Sequence, residues 1–162
     1  MSSDRLASDD PTPRAPPPPS PLSRPSPPEC WVFDVDGSLV DSLTGSSLRP
    51  GARVILEHLA AQGGRVILWS AGGAAYARSR AEELGVDHLV DDFFAKDGRD
   101  TDGCYRTGHL RLHQPLGRGA VFVDDRPEDL ARSLDVIAVS PYLSDDPFDR
   151  GLQEVARRAG LA

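Results

Sequence analysis

Short apolar runs that alternate with helix-like segments constrain the fold of this chain most. Runs rich in Val, Ile, Leu, Phe and Trp occupy residues 31–34, 65–69, 90–95, 120–123 and 135–139. Strands without a polar face that alternate with helices are typical of a parallel sheet covered on both sides. We therefore predict an α/β, three-layer fold in which about five parallel strands carry helices on both faces.

Helical spacing of apolar residues predicts helices between and after these strands. Pro50 suits the first turn of the first helix, whose apolar face is formed by Val54, Ile55 and Leu59. A second helix follows Gly73, and further helices are predicted at 109–116, 127–134 and 148–159. Residues 37–49 are small and polar, and we expect them to form a flap.

Residues 1–29 differ in composition from the remainder of the chain. They contain ten of the 15 prolines, with Ser, Asp and Arg between them, and almost no residue that could enter a core. This composition is typical of disordered segments with polyproline II character. We predict a disordered tail over residues 1–29, whose role stays open, and one folded domain over residues 30–162.

Charge and cysteine usage exclude several classes of protein. The formal net charge of -7 argues against non-specific binding to nucleic acid or to an anionic membrane surface. Cys30 and Cys104 are too few for a disulfide framework or a zinc site, so a cytoplasmic setting is the default prediction. No apolar run approaches the ~20 residues of a membrane span, and the N-terminus lacks the apolar segment of a secretory signal.

Polar residues follow four of the predicted strands at the point where each strand ends. In chain order they are Asp34 and Asp36, Ser70, Lys96, and Asp124 and Asp125. A parallel sheet binds its ligand beyond the carboxyl ends of its strands. Carboxylates from two strands suit Mg²⁺, and a serine and a lysine between them suit the oxygens of a phosphoryl group. The sequence therefore predicts a site for magnesium and phosphate at this edge of the sheet.

These strand ends resemble the four motifs of the haloacid dehalogenase (HAD) superfamily of phosphatases over about residues 31–140. Their sequences are DVDGS at 34–38, VILWS at 66–70, a lysine, and VFVDD at 121–125, with Asp129 four residues further on. Lys96 is the candidate for the lysine, with Arg106 as the alternative; Lys96 is the one lysine among the 18 basic residues. The resemblance implies a Rossmann-like (HAD) fold.

The resemblance also implies the roles of the reacting residues. Asp34 would be the nucleophile that forms an aspartyl-phosphate. Asp36 would protonate the leaving oxygen as a general acid and then activate water as a base. Ser70 would hydrogen-bond a phosphate oxygen, and Lys96 would offset charge beside Asp34.

The same resemblance implies a set of magnesium ligands. Asp34, Asp125 and the backbone carbonyl of Asp36 would hold the ion. Asp124 and Asp129 would act on it through hydrogen bonds or water. The cofactor expected from this pattern is Mg²⁺.

The spacing of the motifs leaves no room for a cap domain over the site. Only 35 residues separate Asp34 from Ser70 and 25 separate Ser70 from Lys96, whereas a cap needs ~50 residues or more. Substrate specificity would then fall to the flap, to Trp69 and Tyr76, and to loop 97–113, although both aromatic residues are more typical of a core. Asp41 is expected to be a solvent-exposed flap residue.

These features together predict a magnesium-dependent phosphatase that hydrolyses a phosphate monoester. Its partner would be a phosphorylated small molecule or a phosphoprotein, since the net charge of -7 disfavours nucleic-acid ends. Two alternatives stay open: a phosphoacceptor signalling module, whose acidic pair would come first in the chain, and an inactive HAD-like binding protein. The oligomeric state is open.

Overall fold

The computed structural model describes residues 30–112 and 119–161. Its five strands are β1 (Cys30–Asp34), β2 (Arg65–Ser70), β3 (Asp92–Ala95), β4 (Ala120–Asp124) and β5 (Asp135–Ala138). Its α-helices are α1 (Ala52–Ala61), α2 (Ala74–Glu83) and α3 (Gln153–Ala159), and short 3-10 turns occupy Asp87–Leu89, Gly108–Leu110 and Pro127–Asp129. The tail predicted over residues 1–29 lies outside the described residues.

All strands of the sheet are parallel, in the order β3-β2-β1-β4-β5. The chain runs outward from β1 to β3 and then returns to the other side of β1 for β4 and β5. Because crossovers are right-handed, a change of direction moves the connections to the opposite face of the sheet. The reversal leaves a crevice between the carboxyl ends of β1 and β4, where such sheets bind ligands.

The two faces of the sheet are covered unequally. On one face, Trp31, Phe33 and Leu68 pack with buried residues of α1, α2 and α3. On the other face, the buried strand residues Val32, Ile67, Trp69 and Phe122 are covered by Leu110 and Leu130, which belong to 3-10 turns and loops. The predicted α/β fold with five parallel strands is confirmed. The layer on this second face of the sheet is built from short turns.

Three predicted helices differ from the structure in extent. The predicted 127–134 helix is a 3-10 turn, because Leu130 takes an extended conformation (φ -110, ψ 149) that directs it onto the sheet. The terminal helix begins at Gln153 and not at Phe148, which lies in a turn closed by the Asp146 side chain. The predicted 109–116 helix starts as the 3-10 turn Gly108–Leu110, and residues 113–118 lie outside the described ones.

The inward stripe of α1 also differs from the prediction. Ile55, Leu56 and Leu59 are buried, whereas Val54 is 57% exposed. Each residue of an α-helix is rotated about 100° from its neighbour, so Val54 lies beside the stripe and not within it. Residues 30–112 and 119–161 contain no helix with the length and apolar character needed to cross a bilayer.

Candidate active site

Three carboxylates meet at the crevice between β1 and β4. Asp34 is the last residue of β1, Asp124 is the last residue of β4, and Asp125 follows it. One carboxylate oxygen of each residue lies within 4.8 Å of the others. Asp34 and Asp124 are buried, and Asp125 is partly exposed. The pairing of β1 with β4 therefore brings together acids that are about 90 residues apart in the chain.

The hydroxyl of Ser38 joins two of these carboxylates. Ser38 Oγ donates a hydrogen bond to Asp34 Oδ2 at 3.0 Å and accepts one from the backbone N–H of Asp125 at 3.0 Å. Gly37 brings the loop this close: its φ is +81°, and a Cβ there would collide with the Asp125 carboxylate. A residue with a side chain at position 37 would thus displace Asp125.

The side chain of Lys96 lies beside the same carboxylates and is 6% exposed. Its Nζ lies 2.7 Å from both Asp34 Oδ1 and Asp124 Oδ2. The ammonium also lies 5.3 Å and 5.4 Å from the ring centroids of Trp69 and Tyr105. Arg106, which the sequence offers as the alternative to Lys96, is exposed. The structure thus places the Lys96 ammonium at the acidic cluster.

The pKa values of these residues reflect a cluster that contains more negative than positive charge. Burial, together with the nearby Asp124 carboxylate, raises the pKa of Asp34 to about 7 despite Lys96. Burial also raises the pKa of Asp125. Burial alone would lower the pKa of Lys96, but the adjacent carboxylates of Asp34 and Asp124 outweigh it and raise that pKa. Three carboxylates with one ammonium suit a divalent cation, because a hard cation prefers carboxylate oxygens.

The side chain of Asp36 is not among the three clustered carboxylates. Its Oδ1 accepts a hydrogen bond of 2.6 Å from the hydroxyl of Tyr76. Burial and this bond raise the pKa of Tyr76 to about 12, so the phenol keeps its proton at neutral pH. Trp69 is 1% exposed, which confirms it as a core residue, whereas Tyr76 combines packing against the core with contact to Asp36. The sequence did not indicate this contact.

Ser70 and Asp129 occupy different surroundings. Ser70 is buried at the end of β2, where its Oγ accepts a hydrogen bond from the backbone N–H of Gly72 at 3.0 Å. Asp129 forms an ion pair of 3.0 Å with Arg99 and a longer one of 3.9 Å with Arg126. Asp129 is not among the three clustered carboxylates, and its side chain forms its described ion pairs with arginines.

The prediction that Asp41 is a solvent-exposed flap residue is wrong. It is 1% exposed and accepts hydrogen bonds from the backbone N–H groups of Thr44, Ser46 and Ser47 at 2.6, 3.0 and 2.8 Å. Burial alone would raise the pKa of Asp41, but the hydrogen bonds from Thr44 and Ser47 lower it below its ordinary range. The carboxylate accepts the hydrogen bonds of three backbone N–H groups in a tight turn. It therefore lies inside the flap.

Arg49 anchors the base of the flap, and sequence reasoning missed it. Its buried guanidinium donates to the carbonyls of Gly37 and Ser38 at 3.3 Å each. It also binds both carboxylate oxygens of Asp149, at 2.6 and 3.1 Å. The loop that carries Ser38 is thereby fixed to the C-terminal part of the chain.

The model of one protein family, described as haloacid dehalogenase-like hydrolase, matches residues 39–150. The match covers more than half of the chain and begins after Asp34 and Asp36. A search of curated proteins found no match.

Several solved structures resemble this fold. A chain in the structure of the Pnkp1/Rnl/Hen1 RNA repair complex is 23% identical, over 74% of this chain and 44% of its own, with a TM-score of 0.44. A chain in a structure of the Pnkp1/Rnl/Hen1 complex is 23% identical, over 84% and 55%, with a TM-score of 0.45. A third solved chain is 18% identical, over 82% and 80%, with a TM-score of 0.47. This chain thus spans about half the length of the first two.

Proposed function

The chain belongs to the haloacid dehalogenase-like hydrolase family, and we propose that it is a magnesium-dependent phosphatase that hydrolyses a phosphate monoester through an aspartyl-phosphate. The observation that carries the proposal is the contact of Lys96 with Asp34 beside the carboxylates of Asp124 and Asp125. Catalysis of phosphoryl transfer depends mainly on neutralising charge and on aligning the reacting groups. A buried carboxylate next to an ammonium and a cation site meets that need.

In the first half of the reaction, a carboxylate oxygen of Asp34 attacks phosphorus. The new oxygen–phosphorus bond forms while the bond to the leaving oxygen breaks, and the proton of Asp36 passes to that leaving oxygen. Ser70 and Lys96 contact the phosphoryl oxygens and offset their charge. The product of this half is an aspartyl-phosphate and a released alcohol.

In the second half, water hydrolyses the aspartyl-phosphate. Asp36, now a carboxylate, takes a proton from the water as the water oxygen bonds to phosphorus. The bond between phosphorus and Asp34 breaks, which restores the carboxylate and releases inorganic phosphate. Asp36 ends the cycle protonated, as it began.

The residues that would hold magnesium are Asp34, Asp125 and the backbone carbonyl of Asp36. Asp124 and Asp129 would support them, Asp124 through its bond to Lys96. When bound, the ion neutralises phosphoryl charge and fixes the orientation of the phosphate. The clustered carboxylates of Asp34, Asp124 and Asp125 supply the oxygen donors that such an ion prefers.

The substrate class we propose is a phosphorylated small molecule or a phosphoprotein. The residues between β1 and β2 form a short flap and α1, and this segment is too short for a cap domain, which favours bulky esters as substrates. The net charge of -7 disfavours a polyanionic substrate such as a nucleic-acid end. A phosphoacceptor signalling module and an inactive binding protein are the alternatives that the experiment must separate.

Hydrolysis of 4-nitrophenyl phosphate tests the proposal. We expect turnover by the wild type with Mg²⁺, and none with EDTA or in Asp34→Asn. Asp87→Asn is the matched control, because Asp87 is exposed and lies on the 3-10 turn Asp87–Leu89, outside the cluster of three carboxylates. This variant should keep wild-type activity. Silence of the wild type would contradict the proposal, and stable labelling by acetyl phosphate would then favour the signalling module.

A further inference from the structure

We propose that Tyr76 is a positioning residue that holds Asp36 by its Oδ1 atom, so that Oδ2 is the oxygen that exchanges protons with the leaving group and with water. The inference rests on the proposed function and adds a residue to it. Its basis is the 2.6 Å hydrogen bond from the Tyr76 hydroxyl to Asp36 Oδ1.

The hydrogen-bonding of Asp36 is unequal between its two oxygens. Among the residues that the structure describes, the bond from Tyr76 is the one side-chain hydrogen bond to the Asp36 carboxylate. A carboxyl group whose one oxygen is fixed presents the other in a defined direction. A general acid needs this, since the proton must lie within hydrogen-bond reach of the leaving oxygen.

The ring of Tyr76 is itself held on several sides. Tyr76 lies in the first turn of α2, and the guanidinium carbon of Arg80 lies 5.5 Å from its ring centroid. A Cβ at Gly72 would lie 2.7 Å from the ring, and a Cβ at Gly45 would lie 3.2 Å from the hydroxyl. Gly45 has a φ of +66°, a conformation that favours glycine, and a side chain there would crowd the hydroxyl. The flap and α2 therefore fix the donor that fixes Asp36.

The hydrogen bond has a chemical consequence in the first half of the reaction. As the proton moves from Asp36 Oδ2 to the leaving oxygen, negative charge develops on Asp36. A hydrogen bond to a charged acceptor is stronger than one to a neutral acceptor, so the bond at Oδ1 strengthens during the step. The benefit should be largest where the leaving oxygen most needs a proton, as in alkyl phosphates, and smallest for 4-nitrophenyl phosphate.

The experiment compares kcat/KM on an alkyl phosphate and on 4-nitrophenyl phosphate, because kcat/KM reports formation of the aspartyl-phosphate and not its later hydrolysis. Tyr76→Phe keeps the ring and removes the hydroxyl. We expect a loss of roughly tenfold or more on the alkyl phosphate, a part of what general acid catalysis contributes, and less than about twofold on 4-nitrophenyl phosphate. In an Asp36→Asn background, the same change should add no further difference between the substrates.

Tyr142→Phe is the matched control. It removes the hydroxyl of a buried tyrosine, whose partners are Ser47, Asp145 and the backbone N–H of Asp146, and any effect should be equal on both substrates. If Tyr76→Phe does not fold, Tyr76→Leu carries the test, since it also keeps an apolar side chain against the core and lacks the hydroxyl, and it should produce the same difference. Equal losses on both substrates, with an active wild type, would overturn this inference and leave the phosphatase proposal intact. An inactive wild type would overturn both.

Discussion

Lys96 Nζ and Asp34 Oδ1 lie 2.7 Å apart in a pair whose side chains are 6% and 8% exposed. Lys96 directly follows β3 and Asp34 ends β1, so the pair spans the strand β2 that lies between them. The ammonium also binds Asp124 on β4. One lysine therefore links the carboxyl ends of strands on both sides of the crevice, and its removal should affect both stability and chemistry.

Lys96→Met should destabilise the metal-free protein by about 3–5 kcal/mol, because breaking a buried pair leaves uncompensated carboxylates. The loss should be largest at pH 8 and smaller at pH 6, since the uncompensated carboxyl groups can take up protons at lower pH. Urea unfolding measures it. Arg158→Gln is the control: its pair with Asp135 is similarly short, 2.6 Å, but its side chains are 34% and 53% exposed, and it should be worth about 0–1 kcal/mol. Equal losses in the two variants would contradict the account.

Magnesium affinity should fall as the pH is lowered from 8 to 6. The pKa of Asp34 in the metal-free protein is raised to about 7, so below that pH the ion must displace a proton before the carboxylate can bind it. One displaced proton corresponds to a loss of up to about tenfold in affinity per pH unit. Isothermal titration calorimetry at both pH values checks this, and Asp125→Asn should weaken binding at each. An affinity independent of pH would show that Asp34 does not bind the ion.

Asp41→Asn should lower the free energy of unfolding by about 1–3 kcal/mol at pH 7, because an amide group would face backbone N–H donors inside the flap. Since folding lowers the pKa of Asp41 from its ordinary 3.8, the carboxylate stabilises the fold above that value and loses this effect as the pH falls below it. The difference between variant and wild type should therefore shrink in acid. Denaturant unfolding at pH 7 and pH 3 measures it, with exposed Asp87→Asn as control; a constant difference would contradict it.

Gly151→Ala should destabilise the protein by about 1–3 kcal/mol, because the new methyl group would overlap the buried guanidinium of Arg49. Gly108→Ala is the matched control, since a Cβ there would meet nothing within 4 Å and its φ is not positive; it should stay within about 0.5 kcal/mol of the wild type. Thermal unfolding compares them. A stable Gly151→Ala would indicate that Arg49 can move without loss.

The residues at the strand ends could be predicted because their chemistry is local in sequence. Asp34 and Asp124 each directly follow an apolar run, and a parallel sheet places such positions at one edge. The contacts of Arg49 and Tyr76 could not be predicted. Arg49 meets Asp149 100 positions later, and Tyr76 meets Asp36 40 positions earlier, and no periodicity or motif encodes such pairs.

Asp41 was mispredicted for a related reason. An aspartate in a polar, serine-rich segment is usually solvated, and the sequence does not show that the segment folds back over this side chain. The short 3-10 turns of the second face were predicted as longer helices because apolar spacing sets a face but not an end. Leu130 leaves the helical conformation to reach Phe122 and its neighbours on the sheet.

The most direct test of the phosphatase account is to trap the covalent intermediate. The protein is mixed with substrate and Mg²⁺, quenched during turnover and treated with borohydride, which reduces an aspartyl-phosphate to homoserine. Peptide mass spectrometry then locates the reduced residue. The account predicts homoserine at position 34, in amounts that depend on substrate, and none in Asp34→Asn. Turnover without modification at Asp34, or modification at another aspartate, would contradict it.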